Sequence, residues 1–470
     1  MNKLFATSAI FLSLLATLPA WGQTTVIRRG QSEAERKQSE ERLQRQREEK
    51  DRQAAEKRAE EERNVHEAYL KVAARQKSIS DSLERVKQAK AQAAAERDVT
   101  LELKTRGEVA IEIGSEKNYY YDTFIGDDMR FQIMDHEVYL YSGNSKGKVI
   151  IPAHVTYPVN NGKSKRTLNV TKIRASAFSK NKNVVSVVIP NTVKEIGGCA
   201  FKGCENLEEV NISQSVTAIG GGAFSDCKKL KSITIDEGND NFVFEDGILY
   251  DRDKTRIISA LPSVVQGNAI IEKSVSIVDA HAFAGCTALS SVKFPQNLSK
   301  IEASAFERSG LVSLDIPNSV RHIGGEAFLD CKNLATVALN EGLQEIGYCA
   351  FQGTIIRSIK LPNTLKEIEV GSFKNCLNLK EIVIPANGAK IGWGAFENCK
   401  ELLKVVVSGD NCEIGWKAFM DCRKLSNIEI KGNTLVKDGA FEGCDNIKMV
   451  TETAADGKRK NVKLRKEWLK

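Results

Sequence analysis

Residues 196–212 have the sequence IGGCAFKGCENLEEVNI, and this stretch decides the fold because its apolar pattern returns along most of the chain. An Ala-Phe or Ser-Phe pair marks each copy. The phenylalanines are Phe178, Phe201, Phe224, Phe283, Phe306, Phe328, Phe351, Phe373, Phe396, Phe419 and Phe441. They are 22 or 23 residues apart, except for one step of 59. This fixed period predicts a solenoid, in which each turn buries its apolar face only against its neighbours.

The segment that follows each phenylalanine predicts a short β-strand. Leu207, Val210 and Ile212 have the pattern L-x-x-I-x-I, and the same positions return in later copies. Alternation of apolar and polar residues is typical of a half-buried strand, so we expect each strand to lie parallel to its copy in the next turn. Several of these strands end at a proline, where a missing amide donor does least harm. These prolines are Pro190, Pro317, Pro362 and Pro385.

The full pattern, Ile-Gly-x-x-Ala-Phe-x-x-Cys-x-x-Leu-x-x-Ile-x-Ile-Pro, resembles the leucine-rich repeat of the BspA-like family, which occurs in bacterial surface proteins and some protists. The resemblance covers about 171–450. It implies a mainly β fold, a right-handed leucine-rich-repeat solenoid with a parallel sheet along one side. It also implies binding or adhesion to host or cell-surface macromolecules, with no catalysis. Because members of the family bind different ligands, the fold does not choose one.

Three further regions belong to the folded part of the chain. The long step contains 236–268, whose pattern predicts a β-hairpin extruded between two strands. Residues 98–170 contain similar apolar pieces without a Phe-Cys unit, so we expect strands that cap the exposed first turn of the solenoid. Residues 451–470 hold more basic than acidic side chains and form a basic C-terminal tail.

The first 97 residues have a different character. Residues 1–22 have the features of a signal peptide, namely Lys3, an apolar run and small residues at Ala20 and Gly22. Residues 23–97 are charged and contain acid-first i,i+4 ion pairs, which predicts a long α-helical stalk. Its second half has a weak apolar seam of the coiled-coil type, which would allow weak self-association. A solvated helix or a disordered charged segment is the alternative interpretation.

Charge and composition exclude several functional classes. The chain of 470 residues has a net charge of +7, but the excess lies in the stalk and the tail, so the folded part lacks a basic surface for nucleic acid. The five histidines are scattered, and no nucleophile motif or phosphate loop is present. The chain contains no C-x-x-C pair, which is the spacing typical of a zinc site. We therefore expect a protein that is not an enzyme and that needs neither cofactor nor metal.

Most of the cysteines share one place in the repeat, three residues after the phenylalanine. The eight are Cys204, Cys227, Cys286, Cys331, Cys376, Cys399, Cys422 and Cys444. Asn181, Ser309 and Thr354 take that place in other copies, which favours small side chains that bond to the turn backbone. Export would permit disulfides, but a stack in register points the Cβ atoms the same way rather than at each other. We expect structural thiols.

Positions that depart from the core pattern are the candidates for a binding site. Three residues before the phenylalanine, where the earlier turns have Gly or Ala and the last turn has Asp438, the chain has Tyr348, Val370, Trp393 and Trp416 in four consecutive turns. Aromatic residues are common anchors of binding sites and also stack on sugars, so these rings could form a ridge for a ligand. The alternative is that they fill a corner of the solenoid or cover the hairpin.

A second candidate surface is the outer face of the predicted strands in the C-terminal half. Its members include Arg357, Lys380, Leu403 and Lys404, for which solvated sheet surface is the simpler interpretation.

These patterns predict an exported binding protein, located at the cell surface, in the medium or in the periplasm, without a transmembrane segment once the signal peptide is removed. Its partner would be a protein or a glycan, and not nucleic acid. A weak homo-oligomer could form through the stalk. The alternative function is a periplasmic scaffold that holds envelope partners through the repeats and the stalk.

Overall fold

The structure is a computed structural model. It describes residues 33, 37–46, 48, 49, 52, 100–102, 104–113, 116–125, 129–134, 137–159, 163–431, 433–447, 449–454, 457–463 and 465–469. The chain divides into two compact units, Met1–Asp81 and Ser82–Lys470. Within the part that the structure describes, no helix combines the length and the apolar character that crossing a membrane requires.

The first unit contains a short helical stretch over 37–46, 48 and 49, with exposed side chains. Gln44 Nε2 donates a hydrogen bond to Glu48 Oε1 at 3.4 Å, one helical turn away. The signal peptide 1–22 and most of the stalk 23–97, including its apolar seam, lie outside the described residues. A long helix is therefore not confirmed.

The second unit begins with eight strands. They are β1 (Thr100–Glu102), β2 (Lys104–Ile113), β3 (Glu116–Ile125), β4 (Met129–Met134), β5 (Glu137–Gly143), β6 (Gly147–Ile150), β7 (His154–Val159) and β8 (Ser164–Ile173). Strands β2 to β5 form an antiparallel meander, and β5 pairs with β8 in parallel. Strands β7 and β8 are antiparallel, and β1 lies parallel to β7. Strand β8 pairs in parallel with Glu195–Ile196 and β6 with Val184–Val188, so both carry the solenoid's hydrogen bonding into this region.

One series of two-residue strands ends at the aliphatic residue five places before the repeat phenylalanine, and we call it the first ladder. Its strands are Glu195–Ile196, Ala218–Ile219, Ile277–Val278, Lys300–Ile301, His322–Ile323, Glu345–Ile346, Glu367–Ile368, Lys390–Ile391, Glu413–Ile414 and Leu435–Val436. From Ile277 onward each strand pairs in parallel with its copy in the next turn. The sequence pattern did not predict this ladder, because a two-residue strand is too short to show alternation.

The second ladder contains the predicted L-x-x-I-x-I strands. They are Val184–Val188, Glu209–Ile212, Ser232–Ile235, Gly267–Ile270, Leu289–Lys293, Ser313–Asp315, Thr336–Ala338, Glu381–Ile384, Lys404–Val407, Asn427–Lys431 and Met449–Thr453. They pair in parallel and in register, as where Ile382 faces Val405, but in four separate sheets. The predicted parallel pairing from turn to turn is confirmed, and each turn contributes strands to two ladders.

The repeat phenylalanines stack inside the solenoid. All eleven are buried, and neighbouring rings are nearly parallel, with centroids 4.8 Å apart for Phe283 and Phe306 and 5.7 Å apart for Phe201 and Phe224. The stack forms two runs, Phe178 to Phe224 and Phe283 to Phe441. This regular burial explains why the period of the sequence is so strict.

The cysteines of the repeat bond to the turn backbone, as the sequence predicts. In most turns the thiol donates to the carbonyl oxygen of the phenylalanine one turn earlier, as from Cys204 to Phe178 at 3.1 Å and from Cys331 to Phe306 at 3.0 Å. All eleven cysteines of the chain are free thiols. Burial raises the pKa of the Cys204 thiol to about 12 and that of Cys331 to about 11, which makes them unreactive.

The insertion is not extruded, which corrects the sequence-based expectation. Strands Phe242–Glu245 and Ile248–Asp251 form an antiparallel hairpin, and Arg256–Ala260 adds to it as a third strand. This third strand then pairs in parallel with Ile277–Val278, the next strand of the first ladder. The insertion is thus part of the solenoid wall.

Alternate residues of the insertion face two different hydrophobic cores. Leu249 and Ile258 belong to the core of the turns marked by Phe178 to Phe224, which we call the N-terminal block. Ile248 and Ile257 belong to the core of the turns from Phe283 onward, the C-terminal block. Both faces of these strands are apolar, so burial on both sides is more favourable than exposure of either.

In the predicted basic tail, the described residues 451–454, 457–463 and 465–469 fold onto the last turn. Strands Met449–Thr453 and Arg459–Lys463 are antiparallel, and a 3-10 helix follows at Lys466–Leu469. Trp468 is 4% exposed, and its ring centroid lies 6.2 Å from that of Phe441. The Phe441 amide donates to the Trp468 carbonyl oxygen at 2.8 Å. The indole therefore closes the end of the phenylalanine stack.

Candidate functional site

The residues Tyr348, Val370, Trp393 and Trp416 lie side by side on the surface, and we call them the aromatic ridge. Their exposed fractions are 46%, 44%, 44% and 61%, so the side chains are outside the hydrophobic core. In each turn the next residue along the chain donates its amide hydrogen to the ridge residue of the following turn. The donors Cys349, Gly371 and Gly394 reach the carbonyl oxygens of Val370, Trp393 and Trp416 at 2.9, 3.0 and 3.1 Å.

This hydrogen bonding keeps the ridge in register. With about 4.8 Å between turns, the ridge extends roughly 14 Å along the solenoid. The backbone of the solenoid therefore sets the spacing of the rings, and only the rotamer of each side chain is not fixed by it.

Tyr348 is held over the preceding turn by a glycine. A Cβ atom at Gly325 would lie 2.3 Å from Cδ1 of the Tyr348 ring, so only glycine leaves room for the ring there. Partial burial and the neighbouring Glu326 carboxylate raise the pKa of the Tyr348 hydroxyl. The Tyr348 amide donates to Glu369 Oε2 at 2.6 Å. Tyr348, the first ring of the ridge, is thus positioned by contacts with both the preceding and the following turn.

Charged groups flank the rings further along. Lys374 Nζ lies 6.0 Å from the centroid of the Trp393 ring and 3.0 Å from Glu397 Oε1. Lys417 Nζ, next to Trp416, lies 3.4 Å from Glu442 Oε2. The ridge therefore combines flat apolar faces with hydrogen-bonding groups of both charges, a combination suited to a partner that has apolar faces and polar edges.

The second predicted surface lies beside the second ladder, and of its residues only Lys404 belongs to a strand, Lys404–Val407. The Lys380 amide donates to the Arg357 carbonyl oxygen at 3.3 Å, and the Leu403 amide to that of Lys380 at 2.8 Å, so the three residues occupy consecutive turns. All three side chains are exposed. Lys404 Nζ lies 3.2 Å from Glu429 and 3.7 Å from Glu381, so its charge is compensated. This surface is separate from the ridge, which follows the first ladder.

The sequence did not predict a third feature, a cleft of about 740 Å³ where the two blocks meet. Basic side chains outnumber acidic ones in its lining. The charged lining residues are Lys180, Lys182, Lys202, Lys228 and Arg308 with Glu205, Asp226 and Glu307. Arg308 Nη2 lies 2.6 Å from Asp226 Oδ2, although the two residues are 82 positions apart. No local pattern could have predicted this cleft, because it depends on how the insertion packs.

Beside the cleft lies a cluster that we call the junction network, formed by Cys199, Lys202, His281 and Glu307. Lys202 Nζ lies 2.8 Å from His281 Nδ1 and 3.1 Å from Glu307 Oε2. A hydrogen bond with Cys199 and one with Glu307 raise the pKa of His281 to about 9. The hydrogen bond from His281, assisted by Lys202 and Arg308, lowers the pKa of Glu307 to about 2. The Glu307 carboxylate therefore lies between two basic groups, Lys202 and His281.

Among the described residues, no group of three or more His, Cys, Asp or Glu side chains is arranged to hold a metal ion.

A family model described as the BspA type leucine-rich repeat region matches the chain in six copies, over 163–250, 266–380 and 344–455, which is more than half of its length. No curated protein sequence matches.

Several solved structures are similar. A leucine-rich repeat protein from Eubacterium ventriosum is 18% identical, with a TM-score of 0.45, and the match covers 73% of this chain and 95% of that one. A leucine rich cell surface protein from Faecalibacterium prausnitzii is 24% identical, with a TM-score of 0.38 and coverage of 70% and 87%. A leucine-rich repeat protein from Bacteroides ovatus is 23% identical, with a TM-score of 0.35 and coverage of 70% and 94%.

Proposed function

The chain belongs to the family of proteins with a BspA-type leucine-rich repeat region, and on that premise we propose that it is an exported, non-catalytic binding protein that recognises a protein or glycan through the aromatic ridge. Proteins of this kind bind partners through the surface of the solenoid. The single observation that carries the proposal is the row of exposed rings, in register, at a place where the earlier turns have Gly or Ala.

The energetics of exposed aromatic side chains favour this role. Burying a large aromatic side chain removes 150–250 Å² of surface from water, so leaving three such rings half exposed forgoes a large stabilisation. Contiguous exposed apolar side chains rimmed by polar groups are typical of interaction sites. The ridge is about as long as four residues of an extended peptide at roughly 3.3 Å per residue. A partner that covers it would bury Tyr348, Trp393 and Trp416 together.

Export is supported by the predicted signal peptide of 1–22, and the family membership fits a surface or envelope location. Protease treatment of intact cells tests it directly. A surface-exposed protein is cleaved from intact cells, whereas a periplasmic protein is cleaved only after the outer membrane is permeabilised. Protection in intact cells would favour the scaffold function over adhesion, and a protein that fractionates with the cytoplasm would contradict export altogether.

The ridge itself is tested by the double substitution Trp393→Ala/Trp416→Ala. The unmodified protein is screened against a glycan array and a panel of purified extracellular matrix proteins, and any hit is titrated. We expect the double variant to lose more than about 2 kcal/mol of binding free energy, roughly 30-fold in Kd, as for hot-spot aromatics. Its melting temperature should change little, because the indoles lie outside the core.

The double variant Arg357→Ala/Leu403→Ala is the matched control. It removes a large exposed apolar side chain and a second exposed side chain from the surface beside the second ladder. It should bind like the unmodified protein. Equal binding by the tryptophan variant would contradict the ridge as the site. A large fall in its melting temperature would show instead that the rings have a structural role.

A further inference from the structure

The cleft where the two blocks meet is shaped by the residues two places after the repeat phenylalanine. In five consecutive turns this position has a left-handed backbone, and charged residues alternate there with glycines, in the order Lys180, Gly203, Asp226, Gly285 and Arg308. A Cβ atom at Gly285 would overlap Oδ1 of Asp226, and one at Gly203 would lie 3.6 Å from Cγ of Lys180. Each of these two charged side chains therefore lies over the glycine of the following turn, and both glycines line the cleft.

A second row of charged residues lies four places after the phenylalanine. Three consecutive turns have Lys182, Glu205 and Lys228 there, and we call these residues the Glu205 triad. Glu205 Oε1 lies 3.1 Å from Lys182 Nζ and 3.3 Å from Lys228 Nζ, and the two lysines lower the pKa of the Glu205 carboxyl. The lysine side chains are 65% and 64% exposed, so a ligand can reach both. One carboxylate between two ammonium groups leaves one positive charge in excess.

On the side of the C-terminal block the charges are balanced. Glu307 lies between Lys202 and Arg308, at 3.1 and 3.3 Å, and Arg308 also pairs with Asp226 at 2.6 Å. These four residues contribute two positive and two negative charges. They hold the two blocks together and add no net charge to the cleft.

Lys180 supplies the remaining charge. Its side chain is exposed and makes no ion pair with any residue that the structure describes. Basic side chains outnumber acidic ones in the cleft by five to three, and the excess therefore lies on the side of the N-terminal block, at Lys180 and at the Glu205 triad. A concave surface with an excess of one charge concentrates ligands of the opposite charge.

The lining also indicates that the ligand is hydrophilic. Pro262 is the one apolar side chain among the lining residues that the structure describes, and Thr287 adds a hydroxyl group. Sites for apolar ligands are lined mostly by hydrophobic and aromatic side chains, so a ligand with apolar groups would find few contacts here. A saccharide with acidic groups matches both signs of charge. Its carboxylates or sulfates would pair with the lysines, while its hydroxyls would donate hydrogen bonds to Glu205, Asp226 and Glu307.

We propose that the cleft is a binding site for an acidic oligosaccharide, and that Lys180, Lys182 and Lys228 hold its carboxylate or sulfate groups. The volume of about 740 Å³ lies within the range of about 300–1,000 Å³ that is typical of ligand sites. Each lysine presents a point charge on a flexible stem, which suits anionic groups at more than one spacing. The site is separate from the aromatic ridge, which lies in later turns.

Isothermal titration calorimetry on the full-length protein tests the ligand class. The probes are hexasaccharides of three kinds, a neutral glucan, an oligogalacturonate and a heparin fragment. We expect at least one acidic probe to bind, more weakly as the salt concentration rises because salt screens the charges, and the neutral glucan not to bind. Binding of one acidic probe alone tells whether carboxylates or sulfates are recognised. Equal binding of the neutral glucan, or no binding of either acidic probe, would overturn the proposal.

The double variant Lys182→Gln/Lys228→Gln tests the location. Its matched control is Lys332→Gln/Lys400→Gln, which changes exposed lysines at the same place of the turn in the C-terminal block and alters the net charge equally. The Kd of the acidic probe should rise about tenfold in the first variant, the typical effect of losing a charge-assisted hydrogen bond, and stay unchanged in the control. The same Kd in both variants would overturn the cleft as the site.

A single substitution gives an independent test. Asparagine tolerates the left-handed angle of Lys180, φ 64°, so Lys180→Asn should raise the Kd severalfold while circular dichroism stays unchanged. If the double variant does not fold, this variant decides, and an unchanged Kd would refute the proposal. The ridge variant Trp393→Ala/Trp416→Ala should bind the acidic probe as tightly as the unmodified protein. A loss of binding there would place the oligosaccharide on the ridge and overturn the cleft as its site.

Discussion

The N-terminal and C-terminal blocks have the same turn but different surfaces. Three residues before the phenylalanine, the N-terminal block has only Ala or Gly, whereas the C-terminal block has Ala or Gly in its first three turns and the aromatic ridge in the next four. The N-terminal block instead places lysines beside the junction. Buried phenylalanine, cysteine and aliphatic positions are the same in both. The comparison shows that the buried positions fix the backbone geometry of each turn, whereas the exposed positions can differ from turn to turn.

The two blocks also meet differently from any other pair of turns. Ordinary turns pair directly along the first ladder, but here the insertion lies between them and supplies residues to both cores. Salt bridges then cross the junction, from Lys202 to Glu307 and from Arg308 to Asp226. The junction therefore joins charged side chains that are 105 and 82 positions apart in the chain.

The largest effect should come from adjacent isoleucines of the insertion. Ile257 and Ile258 are both fully buried but belong to opposite cores. Each substitution by alanine should cost about 2–5 kcal/mol of unfolding free energy. Hydrogen exchange measured by mass spectrometry should rise in the C-terminal block for Ile257→Ala and in the N-terminal block for Ile258→Ala. The two variants control for each other, and identical exchange patterns would contradict the division into two cores.

A smaller effect should follow from the charge of His281. Its pKa is raised in the folded protein to about 9, from an ordinary value of 6.5, so the stabilisation is complete below pH 6.5 and is lost as the pH rises through 9. The pKa of Glu307 is lowered to about 2, so its contribution is lost only in strong acid. Because the two groups share one interaction and are partly exposed, we expect a total of about 1–2 kcal/mol.

Thermal unfolding at pH 6.5 and pH 9.5 measures this effect. The unmodified protein should lose more stability across that interval than His281→Asn, in which no imidazole can titrate. The matched control is His322→Asn, since His322 lies on the first ladder, 2.9 Å from Glu345 and away from the junction. A loss of the same size in His281→Asn and in the unmodified protein would show that the junction network does not contribute to the pH dependence.

The smallest effect should come from the second ladder of the C-terminal block. Lys404 has two carboxylate partners, but the pairs are at the surface, so Lys404→Ala should change the unfolding free energy by less than about 0.5 kcal/mol. Urea denaturation measures this directly. A cost above about 1 kcal/mol would mean that this face is part of the stabilising structure.

Much of the structure of the C-terminal block was predictable from the residue types that recur at fixed positions of the repeat. The phenylalanine period, the bonding of the repeat thiols to the backbone and the outward direction of the ridge position all depend on the contacts of one turn with the next. The first ladder was missed because its strands have two residues, and the role of Trp468 was missed because one tryptophan beyond the last repeat has no pattern. The prediction of an extruded hairpin was wrong, because continuous apolar runs such as those of the insertion indicate strands that are buried on both faces.

The amino-acid sequence by itself determined the repeat, its family and the positions at which side chains leave the core, because each turn is specified by local spacing and by contacts with its immediate neighbours. Only the tertiary structure decided the junction. Cys199, Lys202, His281 and Glu307 are up to 108 positions apart, and nothing in their local sequence relates them. They meet because the insertion packs as a wall between two cores, and that packing follows from burial of apolar surface over the whole second unit rather than from the period of any one repeat.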